Sequence, residues 1–179
     1  MSQGIFPQPT IGLELLYSSE ITPNANSFSI GNDLNPLFTS RFRNYRVVFS
    51  GNVTATLRLR LRSNVTDETS AQYRAAWRSF GSDGGSILIP SGSISNFLVA
   101  SNQGTTRISM NMEIGSPAES ENTTFYANGG YLIASGVGLE VHSGGALNTA
   151  LPYNGLTIYL DSNGKFNTGC KIQVYGYEE

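Results

Sequence analysis

Few residues in this chain could carry catalysis. A nucleophile activated by a general base ordinarily needs an imidazole, and the 179 residues hold a single histidine, His142. It runs into Ser143-Gly144-Gly145, which reads as a loop bearing a solvated or turn-bonded ring. One histidine and one cysteine, Cys170, supply no multi-histidine or Cys-based metal site, and a lone cysteine excludes an internal disulfide. Carboxylates remain. Glu113, Glu119 and Glu121 bracket a polar stretch around Ser120. Two of them could act as a glycosidase acid and base, or the stretch could hold a cation or sugar hydroxyls. No spacing rule separates them from solvated loop acids. Gly81-Ser82-Asp83-Gly84-Gly85 is glycine-rich but lacks the lysine and following helix of a phosphate-cradling loop. The expectation is a protein that is not an enzyme and has no catalytic, cofactor-binding or metal residues.

The sharper feature is basic. Arg41, Arg43, Arg46, Arg58, Arg60, Arg62, Arg74 and Arg78 fall in one stretch, and only Arg107 lies beyond it. Arginine suits planar, bidentate pairing at interfaces. Within Thr54–Arg62, Leu57, Leu59 and Leu61 alternate with Arg58, Arg60 and Arg62. On a strand the leucines face a core and the arginines form an outer stripe, about 7 Å apart in succession. Such a stripe is either a docking face for an acidic surface or anionic glycan, or an outer face paired locally with acids. Nucleic acid is a weaker partner, because the interleaved residues are core leucines and not stacking aromatics. The nine tyrosines suit half-buried strand positions and interface anchors.

The elements that must position these residues are strands. Short β candidates recur at Leu13–Ser18, Ser27–Ile30, Tyr45–Ser50, Thr54–Arg62, Tyr73–Phe80, Ile87–Ile89 (ending at Pro90), Asn96–Ala100 and Thr106–Ile114. Others follow at Phe125–Tyr126, Tyr131–Ala134, Leu139–Val141, Leu156–Leu160 and Lys171–Tyr175. Tyr73–Phe80 has helix-forming alanines, but the close turn clusters on both sides favour a strand. Asp161-Ser162-Asn163-Gly164 reads as the turn of a hairpin joining the last two strands. The predicted fold class is all-β: a two-sheet antiparallel β-sandwich, jelly-roll-like, with about 8–10 strands.

Composition agrees. Charged residues are only 13% and apolar ones 39%, the balance being rich in Ser, Thr and Asn with 20 Gly. Solubility then rests on hydroxyls and amides, and the many turn residues suit many short strands. A net charge of −2 provides no field for nucleic acid. No apolar run is long enough for a transmembrane helix, and Met1–Thr10 has neither the charged nor the apolar region of a signal peptide. Without such a signal, the glycosylation-type triplets at Asn52, Asn64 and Asn122 read as chance in this composition. Met1–Thr10, with two prolines, reads as an extended arm, and residues 11–179 as a single sandwich domain.

Three groups of segments resemble those of small virion structural proteins and fibre-end domains of tailed bacteriophages, notably of cyanobacteria. They are ELLYSSEIT with SFSIGN, then NYRVVFSGN running into TLRLRLRSN and TSAQYRAAW, and last LTIYLDSNGKFNTGCKIQVYGYEE. The resemblance implies a sandwich displayed on a virion, a homo-oligomer (trimer favoured), and no shared catalytic or metal residues. The expected function is a capsid decoration, or cement, protein that docks on other virion proteins such as the major capsid protein. The alternative is a receptor-binding tail-fibre tip recognising host glycan, although no shaft-like repeats or heptads are present. No membrane is involved on either reading. The expected interface residues are Arg58, Arg60 and Arg62 on the stripe, and Ile5 and Phe6 on the arm.

Overall fold

The computed structural model describes residues 12–81, 86–100, 106–132 and 136–178. The N-terminal arm, with Ile5 and Phe6, and most of the Gly81–Gly85 stretch lie outside the described residues. Thirteen strands occur among those described: β1 (Glu14–Glu20), β2 (Ser27–Ile30), β3 (Asn44–Val53), β4 (Leu57–Ser63), β5 (Thr66–Asp67), β6 (Tyr73–Gly81), β7 (Ser86–Ile94), β8 (Phe97–Ala100), β9 (Thr106–Gly115), β10 (Thr123–Leu132), β11 (Gly138–Leu147), β12 (Gly155–Leu160) and β13 (Lys171–Tyr177). All pair antiparallel. One sheet has eight strands in the order β1-β13-β3-β9-β10-β11-β6-β7. The other runs β2-β12-β4-β5, with β8 also paired to β4.

Period-two alternation builds both layers. Leu57, Leu59 and Leu61 of β4 are fully buried, as are Tyr45, Val47 and Phe49 of β3. Ile108, Met110, Met112 and Ile114 of β9, and Tyr73 and Trp77 of β6, face the same core. Each such side chain contributes about 1.5–3 kcal/mol on leaving water. The layers meet as one continuous apolar cluster, which is the two-sheet β-sandwich expected from the alternation. Tyr73–Phe80 is a strand because Tyr, Ala, Trp and Ser point inward at every second position.

Among the boundaries that differ from expectation, four have a nameable reason. Thr54 does not begin a strand: the chain leaves the large sheet at Val53 and enters the small one at Leu57. β7 continues through Pro90, which is tolerable because β7 is an edge strand and needs no second ladder. Two short candidates merge into β10 across Gly129-Gly130, and β11 extends through Gly144-Gly145. Gly129 and Gly145 mark close approach and not a break. A Cβ on Gly129 would sit 2.1 Å from the Ser109 carbonyl oxygen, and one on Gly145 1.9 Å from that of Arg74.

The most consequential difference concerns the last two strands. The turn forms, but its positive-φ residues are Ser162 and Asn163, with φ of 52° and 60°, one position earlier than the Asn-Gly pair of a hairpin turn would put them; Gly164 N–H donates to the Asp161 carbonyl at 2.8 Å. Yet β12 and β13 do not form a hairpin. β12 pairs with β2 and β4 in the small sheet, whereas β13 pairs with β1 and β3 in the large one. The turn carries the chain from one layer to the other.

Candidate functional site

The arginine stripe lies where the alternation places it, on the outer face of the small sheet. Each of its three arginines has partners within the protein. Arg58 donates from Nε to Asp161 Oδ2 at 2.9 Å and from Nη1 to Asn96 Oδ1 at 2.9 Å. Arg60 donates to the Ser95 carbonyl at 3.0 Å and lies over the Tyr159 ring, 4.6 Å from its centroid. Arg62 donates to Thr157 Oγ1 at 3.0 Å and to the Val65 carbonyl, and pairs with Asp67 at 3.5 Å. Thr157 in turn donates to Asp67 Oδ1 at 2.7 Å and shares a bond with Ser29. The stripe thus ties β2, β12, β4 and β5 together, with acids and carbonyls of the same chain as its partners. Three more arginines of the run are also engaged: Arg41 pairs with Glu14, Arg43 with Glu121, and Arg46 with Glu113.

A second surface was not legible as a unit in sequence. His142 is not on a loop; it lies within β11. Register sets Val48, Asn111, Asn128, His142 and Arg78 side by side across β3, β9, β10, β11 and β6. The row beside it runs Tyr175, Arg46, Glu113 and Tyr126. The row on the other side includes Gly130, Glu140 and Phe80. His142 Nε2 lies 2.9 Å from Glu140 Oε1, and its Nδ1 lies 3.3 Å from the Tyr126 hydroxyl. Phe80 meets the imidazole edge-on at 6.1 Å, and the Arg78 guanidinium lies 4.3 Å from the Phe80 ring centre. Phe80, Tyr126 and Leu132 are exposed large apolar side chains of this face.

Beside the cluster is an open depression of about 800 Å³ lined by Phe80, Asn128, Gly130, Glu140 and His142, among others. Gly138, also on its wall, has no heavy atom within 4 Å of where a Cβ would stand. Packing does not require glycine there. The missing side chain leaves backbone uncovered next to the aromatic and polar groups.

The three carboxylates singled out in sequence are divided. Glu113 is on the sheet face, receiving Arg46 Nε at 2.5 Å and the Tyr177 hydroxyl at 2.7 Å. Glu119 and Glu121 follow in the β9–β10 connection, with Glu178 nearby. The Ser116 hydroxyl, and then Arg43, hold the Glu121 carboxyl below its ordinary range. Among the described residues no cluster of three or more His, Cys, Asp or Glu could hold a metal ion. Cys170 is buried, donates to the Asn52 carbonyl at 3.1 Å, and has its thiol pushed up by burial. Among the described residues no helix is long and apolar enough to cross a membrane.

No family model, curated protein or solved structure matches the chain.

Proposed function

We propose that the chain is a non-enzymatic virion structural protein of a tailed bacteriophage, jelly-roll-like, that docks as a homo-oligomer on other virion proteins as a capsid decoration protein. The observation that carries a docking role is the outer face of the eight-stranded sheet. It presents Phe80, Tyr126 and Leu132 among Arg78, His142 and Asn128 on regular strands, outside the sandwich core. Aromatic residues and arginine are enriched at protein interfaces, and rigid strands keep the cost of ordering them low. The resemblance of its strand and turn segments to virion proteins supplies the setting. The stripe of Arg58, Arg60 and Arg62 is the weaker docking face, because a partner would compete with Asp161, Asp67 and backbone carbonyls for its donors.

A specific feature favours the second reading, a tip module that binds host glycan. The depression beside Phe80 combines a ring face, an imidazole, a carboxylate, an amide and bare backbone. A sugar ring uses such a mixture, stacking its C–H face while its hydroxyls are bonded.

Phe80→Glu with Tyr126→Glu would place charge on the docking face without entering the core. Incorporation into particles is expected to fall by at least tenfold, while circular dichroism and the melting temperature stay near those of the parent. Normal incorporation of this folded variant would remove the sheet face as a docking surface. Localisation by electron microscopy separates the two settings: density on the head supports decoration, and density confined to the tail tip supports the glycan reading.

A further inference from the structure

The guanidinium groups of Arg41, Arg43, Arg46, Arg58 and Arg62 each meet a carboxylate of the chain. Those of Arg74, Arg78 and Arg107 meet none among the described residues, and all three are exposed on the outer face of the large sheet. Two of them flank a groove. Register lays Phe80, Glu140, Gly130, Ser109 and Ser50 in one row across β6, β11, β10, β9 and β3. The depression beside His142 covers the first part of this row. A second depression, of about 460 Å³ and lined by Ser50, Ser109, Arg107 and Leu132 among others, covers the rest. The two meet at Gly130 and Tyr131. The groove crosses four strand spacings, about 19 Å.

Its two ends repeat one arrangement. At the β6 end the Arg78 guanidinium lies 4.3 Å from the centre of the exposed Phe80 ring. Toward the β3 end Arg107 stands directly opposite Leu132, which is 50% exposed. Each end therefore joins an apolar side chain to a cation that no acid among the described residues neutralises. Between them lie the Asn128 amide, the His142 imidazole and the Ser109 hydroxyl. Glu140 is the one acid lining the groove among the described residues, and it is held 2.9 Å from His142. Lys171 continues the row past Ser50, with Glu20 opposite it. Bases thus outnumber acids along the groove, in a chain whose net charge is −2.

We propose that this groove takes a linear acidic polysaccharide, with one uronate carboxylate on Arg78 and another on Arg107. A guanidinium matches a carboxylate with two parallel hydrogen bonds, and Phe80 and Leu132 cover the C–H faces of the same sugar units. Hydroxyls between them bond to Asn128, Ser109 and Glu140. An acidic peptide fits less well. The row crosses interior strands whose backbone groups are already paired, so no strand can be added there. Single-stranded nucleic acid uses a ring for each stacked base, and among the described residues Phe80 is the one exposed aromatic side chain lining the groove. The inference rests on the glycan reading of the depression and adds the charge of the ligand.

Calorimetric titration of the full chain tests this, with polygalacturonate, alginate and hyaluronate as probes and the methyl ester of each as its uncharged counterpart. At least one acidic polymer is expected to bind, more weakly as salt rises, and its ester about tenfold less tightly or worse. Arg78→Gln with Arg107→Gln should lower the affinity by about tenfold or more. Arg74→Gln, on the same face but outside the groove, should change it by less than about twofold. All variants should melt near the parent temperature. An ester that binds as tightly as its acid would overturn the proposal and leave the glycan reading standing. Binding of none of the six polymers would remove both. An equal loss in Arg74→Gln would replace the groove with a diffuse positive face. Polyglutamate or oligothymidylate binding as tightly as the acidic polymers would overturn the proposal in favour of an acidic peptide or a nucleic acid.

Discussion

Arg58 and Asp161 are joined at 2.9 Å at one end of the small sheet, linking β4 to the turn that follows β12. Asn96, just before β8, accepts a second bond from the same guanidinium. Arg58→Glu would place two carboxylates together and strand the Asn96 carbonyl. The expected loss is about 1–3 kcal/mol, or roughly 2–12 °C in melting temperature for a chain of this size. Arg58→Lys should lose less than half of that. Scanning calorimetry of both variants checks this. An unchanged melting temperature in Arg58→Glu would return the stripe to the status of a free docking face.

Gly51 and Cys170 make a close contact inside the core. Gly51 has φ of 152°, and a Cβ there would stand 2.6 Å from the Cys170 Cα. Backbone cannot give way as a side-chain tip can, so Gly51→Ala should cost about 2–4 kcal/mol, measured by urea denaturation. The same contact shields the thiol. Ellman's reagent should leave Cys170 unmodified in the native protein and titrate one thiol in denaturant; fast reaction in the native state would contradict the burial.

Tyr153 donates to Glu68 Oε2 at 3.1 Å, and Ser70 N–H to Glu68 Oε1 at 2.7 Å. Partial burial works to raise the Glu68 carboxyl, but the bonds from Ser70 and Tyr153 outweigh it and hold it below the ordinary 4.5. Glu68 therefore stabilises the fold above that value, and its contribution is lost as pH falls through the lower folded value. Tyr153 behaves in the opposite sense. Burial foremost, with the Glu68 charge adding to it, pushes its hydroxyl up to about 12 from 10.0. Its contribution is complete below pH 10 and lost between pH 10 and about 12, as the unfolded phenol ionises first. In urea midpoints measured against pH, Glu68→Gln should flatten the acid limb and Tyr153→Phe the alkaline one. Each variant should leave the other's limb with its parental slope apart from the shared hydrogen bond.

How much was legible depended on the range over which each feature is determined. The core faces of β4, β6 and β9 were readable because alternation is local. Leu57, Leu59 and Leu61 must share a face whatever the strand pairs with, and the same periodicity places Arg58, Arg60 and Arg62 on the other. The ends of β10 and β11 were misread because Gly129 and Gly145 look like breaks along the chain. Their meaning lies in the carbonyls of Ser109 and Arg74, which approach from neighbouring strands. His142, beside Gly144-Gly145, reads as a loop residue along the chain for the same reason. The cluster with Tyr126, Glu140 and Phe80 assembles from three strands, so no single window contained it.

By itself the sequence determined the all-β character, the inward leucines and aromatics, the outward arginine stripe and a turn at Asp161-Ser162-Asn163-Gly164. These follow from side-chain sterics and from the two-residue repeat of a strand, which act between near neighbours. Tertiary structure alone decided that this turn joins two sheets and not two paired strands. It also decided that Arg58 meets Asp161 and that the aromatic cluster forms on the large sheet. Pairing and register are set by which apolar faces can be buried against each other across the whole chain, and local preferences carry no record of that choice.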